Sequence, residues 1–123
     1  MKIYPKNEPR RFTIKGVTIS HVADINLDPD EMITLRRDDG SEYDVAAKSW
    51  GYYATPSLNG RLRDQGFRSV LVKNKSTGQR YVLLVREGQQ SAFNEYLAHQ
   101  DMKVLGFLDE ECVKIDDSDD MPE

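Results

Sequence analysis

The fold is decided around one stretch of the chain, KSWGYYATPSLNGRL, which covers residues 48–62. It holds the only Trp, two of the six Tyr and two of the eight Gly. Three aromatic rings among turn-forming residues cannot all follow one face of a strand or helix, so at least one ring is expected to leave the core. We therefore predict a loop at residues 50–55 that displays rings for recognition. The alternative is that Trp50 fills the core with Tyr52 and Tyr53 beside it.

The segments on either side of this stretch predict the regular structure. Upstream, apolar residues alternate between residues 12 and 25, which indicates β-strands. A hairpin then turns at Asp39-Gly40, where a tight turn needs positive φ. Downstream, Thr55-Pro56 is typical of a helix start and Gly66 of its end. Strands are predicted at residues 67–74 and 80–86, a helix at 89–100 and a last strand at 102–108.

The order of these elements predicts the fold class. From Glu42 onward it is strand, helix, strand, strand, helix, strand. This is the α+β, ferredoxin-like βαββαβ sandwich, with two helices on one face of an antiparallel sheet and an added N-terminal β-meander. The continuous apolar run YVLLV, residues 81–85, predicts that its strand is central and covered on both faces.

Length and charge predict the domain organisation. A chain of 123 residues is long enough for one hydrophobic core. We expect an extended arm at residues 1–11, a single α+β domain at 12–110 and an acidic disordered tail at 111–123. Residues 109–123 hold eight acids against Lys114, whereas the whole chain has a net charge of −4, so the rest sums to +3. Such a tail could cover basic surface of its own chain or contact a partner, but we expect it to be solvated and disordered.

Several function classes find no support in the composition. No apolar run is long enough to span a membrane and the first residues lack a signal-peptide pattern, so a cytoplasmic location is expected. Ser57 or Cys112 could pair with His21 or His99 as a nucleophile and base, but no motif surrounds any of them. With one cysteine and no ligand set at metal spacing, we expect no enzyme, no catalytic residue, no cofactor and no metal.

Basic residues concentrate between Arg61 and Arg86, where there are seven bases against the single acid Asp64. They are Arg61, Arg63, Arg68, Lys73, Lys75, Arg80 and Arg86. Arginine suits phosphates and carboxylates, so an anion site is one interpretation and a solvated face is the other. Nucleic acid is a further alternative, although residues 78–85 hold one aromatic where RNA-binding ferredoxin-like sheets place three.

The aromatic stretch at residues 50–62, the YVLLV strand and the FNEYL segment at 93–97 together resemble a group of small bacterial proteins. Some members of that group are associated with surface-polysaccharide genes. The similarity covers about residues 33–108. It implies a bacterial origin and supplies no assigned activity.

These observations predict a non-enzymatic binding or regulatory module, with no membrane association. Its partner, a protein or an anionic small molecule, is expected to meet an aromatic and arginine site made of Trp50, Tyr52, Tyr53, Thr55, Arg61 and Arg63. Two alternatives stay open: a nucleic-acid binder acting through Arg61 to Arg86, and an accessory protein in surface-polysaccharide or sugar metabolism.

Overall fold

The computed structural model describes residues 1–118 and divides into two compact units. The N-terminal unit is Met1–Pro56, and the C-terminal unit begins at Ser57. Strands make up 51% of the structure and helices 12%. Within residues 1–118, no helix has the length and apolar character needed to cross a membrane. The predicted boundaries at 1–11, 12–110 and 111–123 stay a prediction, and residues 119–123 of the predicted tail lie outside the described residues.

A long hairpin opens the N-terminal unit. Strand β1 (Lys2–Ile14) pairs antiparallel with β2 (Val17–Asn26), so the residues predicted as an arm form most of β1. Lys15 and Gly16, with φ of 47° and 83°, make the tight turn between them. The register shifts between Pro5 and Arg10, where two prolines that lack an amide donor interrupt the ladder.

The second sheet of this unit has the order β3-β4-β5. Its strands are β3 (Met32–Arg36), β4 (Glu42–Lys48) and β5 (Gly51–Ala54). The hairpin predicted at Asp39-Gly40 is confirmed, with Gly40 at φ 87°. A second tight hairpin follows, because Lys48 pairs directly with Gly51.

The C-terminal unit is built on a three-stranded antiparallel sheet of order β7-β6-β8. Its elements in chain order are α1 (Arg61–Asp64), β6 (Phe67–Asn74), β7 (Arg80–Arg86), α2 (Gln90–His99) and β8 (Met102–Phe107). The core lies at the central strand and under α1: Leu62, Ser69, Val70 and Val72 are fully buried. Helix α2 packs against β7 and β8.

The ferredoxin-like prediction is wrong. The six predicted elements are all present, but β4 pairs with β3 along one edge and with β5 along the other. A strand has only two edges, so β4 cannot also join β6. The segment predicted as a loop contains β5, which occupies the edge that the predicted sheet required. Three small antiparallel sheets result, in a mostly β structure.

Two local predictions are also corrected. The run YVLLV lies in an edge strand, where Val82 is 57% exposed, and the shorter apolar run of β6 takes the centre. The helix predicted from Thr55 to Gly66 is reduced to the single turn of α1. Gly60 and the preceding turn residues give that segment too few helix-favouring residues to extend it.

Candidate functional site

The predicted aromatic residues form the tip and second strand of the β4–β5 hairpin, here called the aromatic hairpin (Trp50, Tyr52, Tyr53 and Thr55). Trp50 is 73%, Tyr52 77% and Tyr53 48% exposed. Tyr52 pairs with Ala47 and Tyr53 with Ala46, so the two tyrosines project from opposite faces of the sheet. The hairpin thus presents rings in more than one direction. Their role in binding stays a prediction.

A buried aspartate holds the base of the aromatic hairpin. Asp44, which is 6% exposed, accepts hydrogen bonds from the Thr34 hydroxyl at Oδ1 and from the Thr55 hydroxyl at Oδ2. The backbone amide of Thr55 also donates to the Asp44 carbonyl oxygen at 3.0 Å. These bonds fix the chain immediately after the tyrosines, so the rings are carried on an anchored strand.

Arg61 and Arg63, the other two predicted site residues, lie on α1 in the C-terminal unit. Arg63 lines a cleft of about 320 Å³, here called the arginine cleft. Two more arginines and two phenylalanines line the cleft, and they come from β6, β7, α2 and β8. The lining residues are Arg63, Arg68, Val85, Arg86, Glu87, Gly88, Gln90, Phe93 and Phe107.

An ion pair behind the cleft positions Arg68. Its Nε lies 2.7 Å from Oδ2 of Asp109 and its Nη2 lies 2.9 Å from Oδ1, a bidentate arrangement. The Asp109 side chain is fully buried, and Arg63 Nη1 lies 3.6 Å from it. The Arg68 hydrogen bond, aided by the charges of Arg68 and Arg63, holds the pKa of Asp109 below its ordinary value despite burial.

Aromatic rings support the guanidinium groups. Cζ of Arg68 lies 4.2 Å from the ring centroid of Phe107, and Cζ of Arg86 lies 5.3 Å from that of Phe67. Such contacts orient a cation while leaving its in-plane N–H groups able to donate. Helix α2 begins at Gln90 beside the cleft, which adds the positive end of a helix dipole. The cleft therefore combines N–H donors with flat apolar walls.

A second basic cluster, here called the basic end, lies at the other end of the same sheet. Lys73 Nζ donates to Oδ1 of Asp117 at 2.9 Å, and Arg80 Nη2 donates to Oδ2. The backbone amide of Asp116 donates to the Leu105 carbonyl oxygen at 2.9 Å. Lys73, followed by Arg80, lowers the pKa of Asp117. Acids that follow β8 thus contact bases on β6 and β7.

The bases of the stretch from Arg61 to Arg86 are therefore divided between two acidic partners. Arg63 and Arg68 meet Asp109, whereas Lys73 and Arg80 meet Asp117. Sequence reasoning missed these pairs because Asp109 is 41 residues from Arg68 and Asp117 is 44 residues from Lys73. The one available signal was the excess of acids after residue 108.

Two of the residues weighed as catalytic candidates, Ser57 and His21, have structural contacts. The Ser57 hydroxyl accepts a hydrogen bond from the Arg61 amide at 2.8 Å, and His21 Nε2 lies 3.0 Å from Oδ1 of Asp24. Cys112 is exposed. Among the 118 described residues, there is no group of three or more side chains that could hold a metal ion.

Searches of protein-family models, curated proteins and solved structures find no match to this chain.

Proposed function

We propose that this chain is a non-enzymatic binding module whose arginine cleft takes a small anion with an apolar body. The observation that carries the proposal is the lining, in which three arginines and two phenylalanines surround one cleft of about 320 Å³. That volume is at the small end of the range of about 300 to 1,000 Å³ for ligand sites. A single ring bearing a carboxylate or phosphate is the ligand class that fits best.

The charge balance of the cleft supports an anionic ligand. Its three arginines are opposed by Glu87 in the lining and by Asp109 behind Arg68, which leaves a net charge of +1. Arg63 and Arg86 line the cleft on α1 and β7, and they are the groups assigned to the ligand. Arginine matches carboxylate and phosphate oxygens with paired N–H groups, and the rings of Phe93 and Phe107 would cover an apolar body.

The first prediction separates this site from general attraction by the basic α1. Arg63→Gln should weaken binding of phenyl phosphate about 10- to 100-fold, because a hydrogen bond to a charged group contributes about 1.5 to 3 kcal/mol. Arg61→Gln is the matched control, since it removes the same charge from the same helical turn outside the lining. Isothermal titration calorimetry of the full chain measures both variants.

Inorganic phosphate and phenol serve as further probes in that titration, and both should bind more weakly than phenyl phosphate if charge and ring act together. Equal losses in Arg61→Gln and Arg63→Gln would indicate diffuse charge attraction. No heat of binding for phenyl phosphate at millimolar concentration would also count against the proposal.

The aromatic hairpin supports a second candidate function, a surface for a protein partner. Trp50 and Tyr52 are the two most exposed large apolar side chains among the described residues, and such rings are enriched where interfaces concentrate their energy. This surface is in the N-terminal unit and does not depend on the arginine cleft.

The second prediction tests whether those rings belong to a surface. Replacing Trp50 and Tyr52 together by alanine should change the free energy of unfolding by no more than about 0.5 kcal/mol, because both are exposed. Val70→Ala, at a fully buried position, is the control and should destabilise clearly. Urea denaturation measures both. A loss of several kcal/mol in the double variant would mean that the rings are part of a core.

The remaining alternatives stay predictions of the sequence. They are nucleic-acid binding through Arg61 to Arg86, an accessory role in surface-polysaccharide or sugar metabolism, and a cytoplasmic location. Nucleic-acid binding would weaken steeply with salt because it releases counterions. Titration with oligonucleotides at low and physiological salt distinguishes it from binding in the arginine cleft.

A further inference from the structure

The chain that follows β8 returns to the edge of the sheet in the C-terminal unit. Residues 114–118 are here called the return segment. The Asp116 amide donates to the Leu105 carbonyl oxygen at 2.9 Å, and β8 is an edge strand whose backbone is open to such a bond. A Cβ at Gly106 would overlap the backbone of the return segment and lie 2.8 Å from Cδ1 of Ile115. The return segment is therefore packed closely on β8, at a point where a glycine is needed.

Three cations of the same sheet hold the return segment by its oxygen atoms. Asp117 accepts a hydrogen bond from Lys73 Nζ at 2.9 Å and another from Arg80. Lys103 Nζ donates to the backbone carbonyl oxygen of Ser118 at 3.0 Å. The return segment thus contacts the basic end on β6 and β7 and a further lysine on β8.

The basic end and the arginine cleft lie on opposite faces of this sheet. Arg68 and Val85 are a cross-strand pair that lines the cleft beside α2. Lys73 and Arg80 are another cross-strand pair, and each lies an odd number of residues from the first pair along its strand. Side chains at odd separations point to opposite faces of a strand. A ligand can therefore bind at the basic end without entering the cleft.

We propose that the basic end is a docking site for an extended acidic peptide of a partner protein, and that the return segment occupies this site as a tethered competitor. The contacts of the return segment define the ligand class. They need an apolar residue at Gly106, a backbone amide for the edge of β8, and a carboxylate two positions after the apolar residue.

The backbone contacts favour a polypeptide over a nucleic acid. The Asp116 bond requires a main-chain N–H donor, which a phosphodiester backbone lacks. Addition of an extended peptide to a strand edge supplies such donors, and side-chain contacts beside the edge then select the sequence. Here the adjacent cations select a carboxylate.

The return segment is held weakly enough for a partner to displace it. Ile115 is 46% exposed, and the Arg80 side chain is 56% exposed, so its ion pair is solvated and contributes little. The short connection through residues 108–113 instead keeps the segment at an effective concentration of about 1 mM. A partner therefore binds the fraction of molecules in which the segment is released, and its apparent affinity is lowered by that fraction.

The third prediction is tested by titrating the full isotope-labelled chain with the capped peptide of residues 113–118, VKIDDS, and following amide NMR signals. Asp117→Asn removes the acceptor of Lys73 and Arg80 and should release the return segment. The variant should bind the peptide about 3- to 10-fold more tightly than the wild-type chain, whose apparent dissociation constant is expected to be about 1 mM or more.

Matched controls separate release of the segment from a change in net charge. Glu111→Gln removes the same charge at an exposed position before the return segment, and its affinity should stay within about twofold of the wild type. Adding Arg80→Gln to Asp117→Asn should weaken peptide binding about tenfold, because the open site loses a hydrogen bond to a charged group. Adding Lys75→Gln instead removes an exposed base from the turn after β6 and should have little effect.

A further measurement needs no substitution. In the wild-type chain, the peptide should produce saturable shifts at Leu105, Gly106 and Asp116, where the return segment is exchanged. Equal gains in Asp117→Asn and Glu111→Gln would overturn the proposal, as would peptide shifts confined to the arginine cleft at Gln90 or no saturable shift at all. An oligonucleotide that binds the basic end more tightly than the peptide at physiological salt would also overturn it.

Discussion

Asp109→Asn should lower the free energy of unfolding by about 2 to 3 kcal/mol at pH 7. The Asp109 side chain is fully buried and accepts two hydrogen bonds from Arg68, with Arg63 also within 3.6 Å. Asparagine keeps the size but removes the charge, and leaves Arg68 without its bidentate acceptor. The partial exposure of Arg68, 34% for its side chain, keeps the expected loss below that of a fully buried pair.

The pH dependence of the same variant gives an independent test. Since the pKa of Asp109 is lowered in the folded state, chiefly by the Arg68 hydrogen bond, its stabilisation is fully present above the pKa of the unfolded chain. It is lost as pH falls through the folded pKa, so the wild-type chain should lose stability below about pH 4. Asp109→Asn should lack this part of the acid-induced loss.

Urea denaturation at pH 7 and at about pH 3 measures both effects. Glu110→Gln is the matched control because it removes one carboxylate at the next, exposed position. It should change stability by no more than about 0.5 kcal/mol. If Asp109→Asn and Glu110→Gln have equal effects, the Arg68–Asp109 pair does not hold the cleft.

Leu62→Ala should destabilise the chain by about 2 to 5 kcal/mol. Leu62 is fully buried, although α1 is only four residues long and has too few backbone hydrogen bonds to be stable by itself. Burial of the Leu62 side chain therefore supplies much of the free energy that holds α1 against β6, and α1 carries Arg63. Truncation leaves a cavity at this contact and should also weaken binding of phenyl phosphate.

Leu58→Ala is the control for Leu62→Ala, since Leu58 precedes the same turn and is 38% exposed. Differential scanning calorimetry compares the two variants. A melting temperature for Leu62→Ala equal to that of Leu58→Ala would mean that α1 is not packed as described.

Local structure could be read from the sequence where a short-range rule decides it. The turn at Asp39-Gly40 was predicted because positive φ is required there, and α2 was predicted from its helical spacing of apolar residues. The sheet partners could not be read in the same way. The pairing of β4 depends on whether residues 51–54 form a strand. A segment of four residues is too short for its alternation of apolar and polar residues to distinguish a strand from a loop.

The candidate site was predictable only in part. Arg63 was identified because basic residues concentrate in its stretch, but its partners depend on strand pairing. Val70 lies opposite Phe107 across the sheet, and Arg68 lies opposite Val85, which brings a phenylalanine and an arginine into one cleft. Asp109 follows β8 directly and meets Arg68 for the same reason. These contacts could be predicted only from the sheet order β7-β6-β8.

Binding of a small anion in the arginine cleft is located residue by residue when the isotope-labelled chain is titrated with phenyl phosphate and its amide NMR signals are followed. Saturable shifts are expected at Glu87, Gly88, Gln90 and Phe107, which line the cleft. Shifts confined to the basic end at Lys73 and Arg80, or no saturable shift, would contradict it.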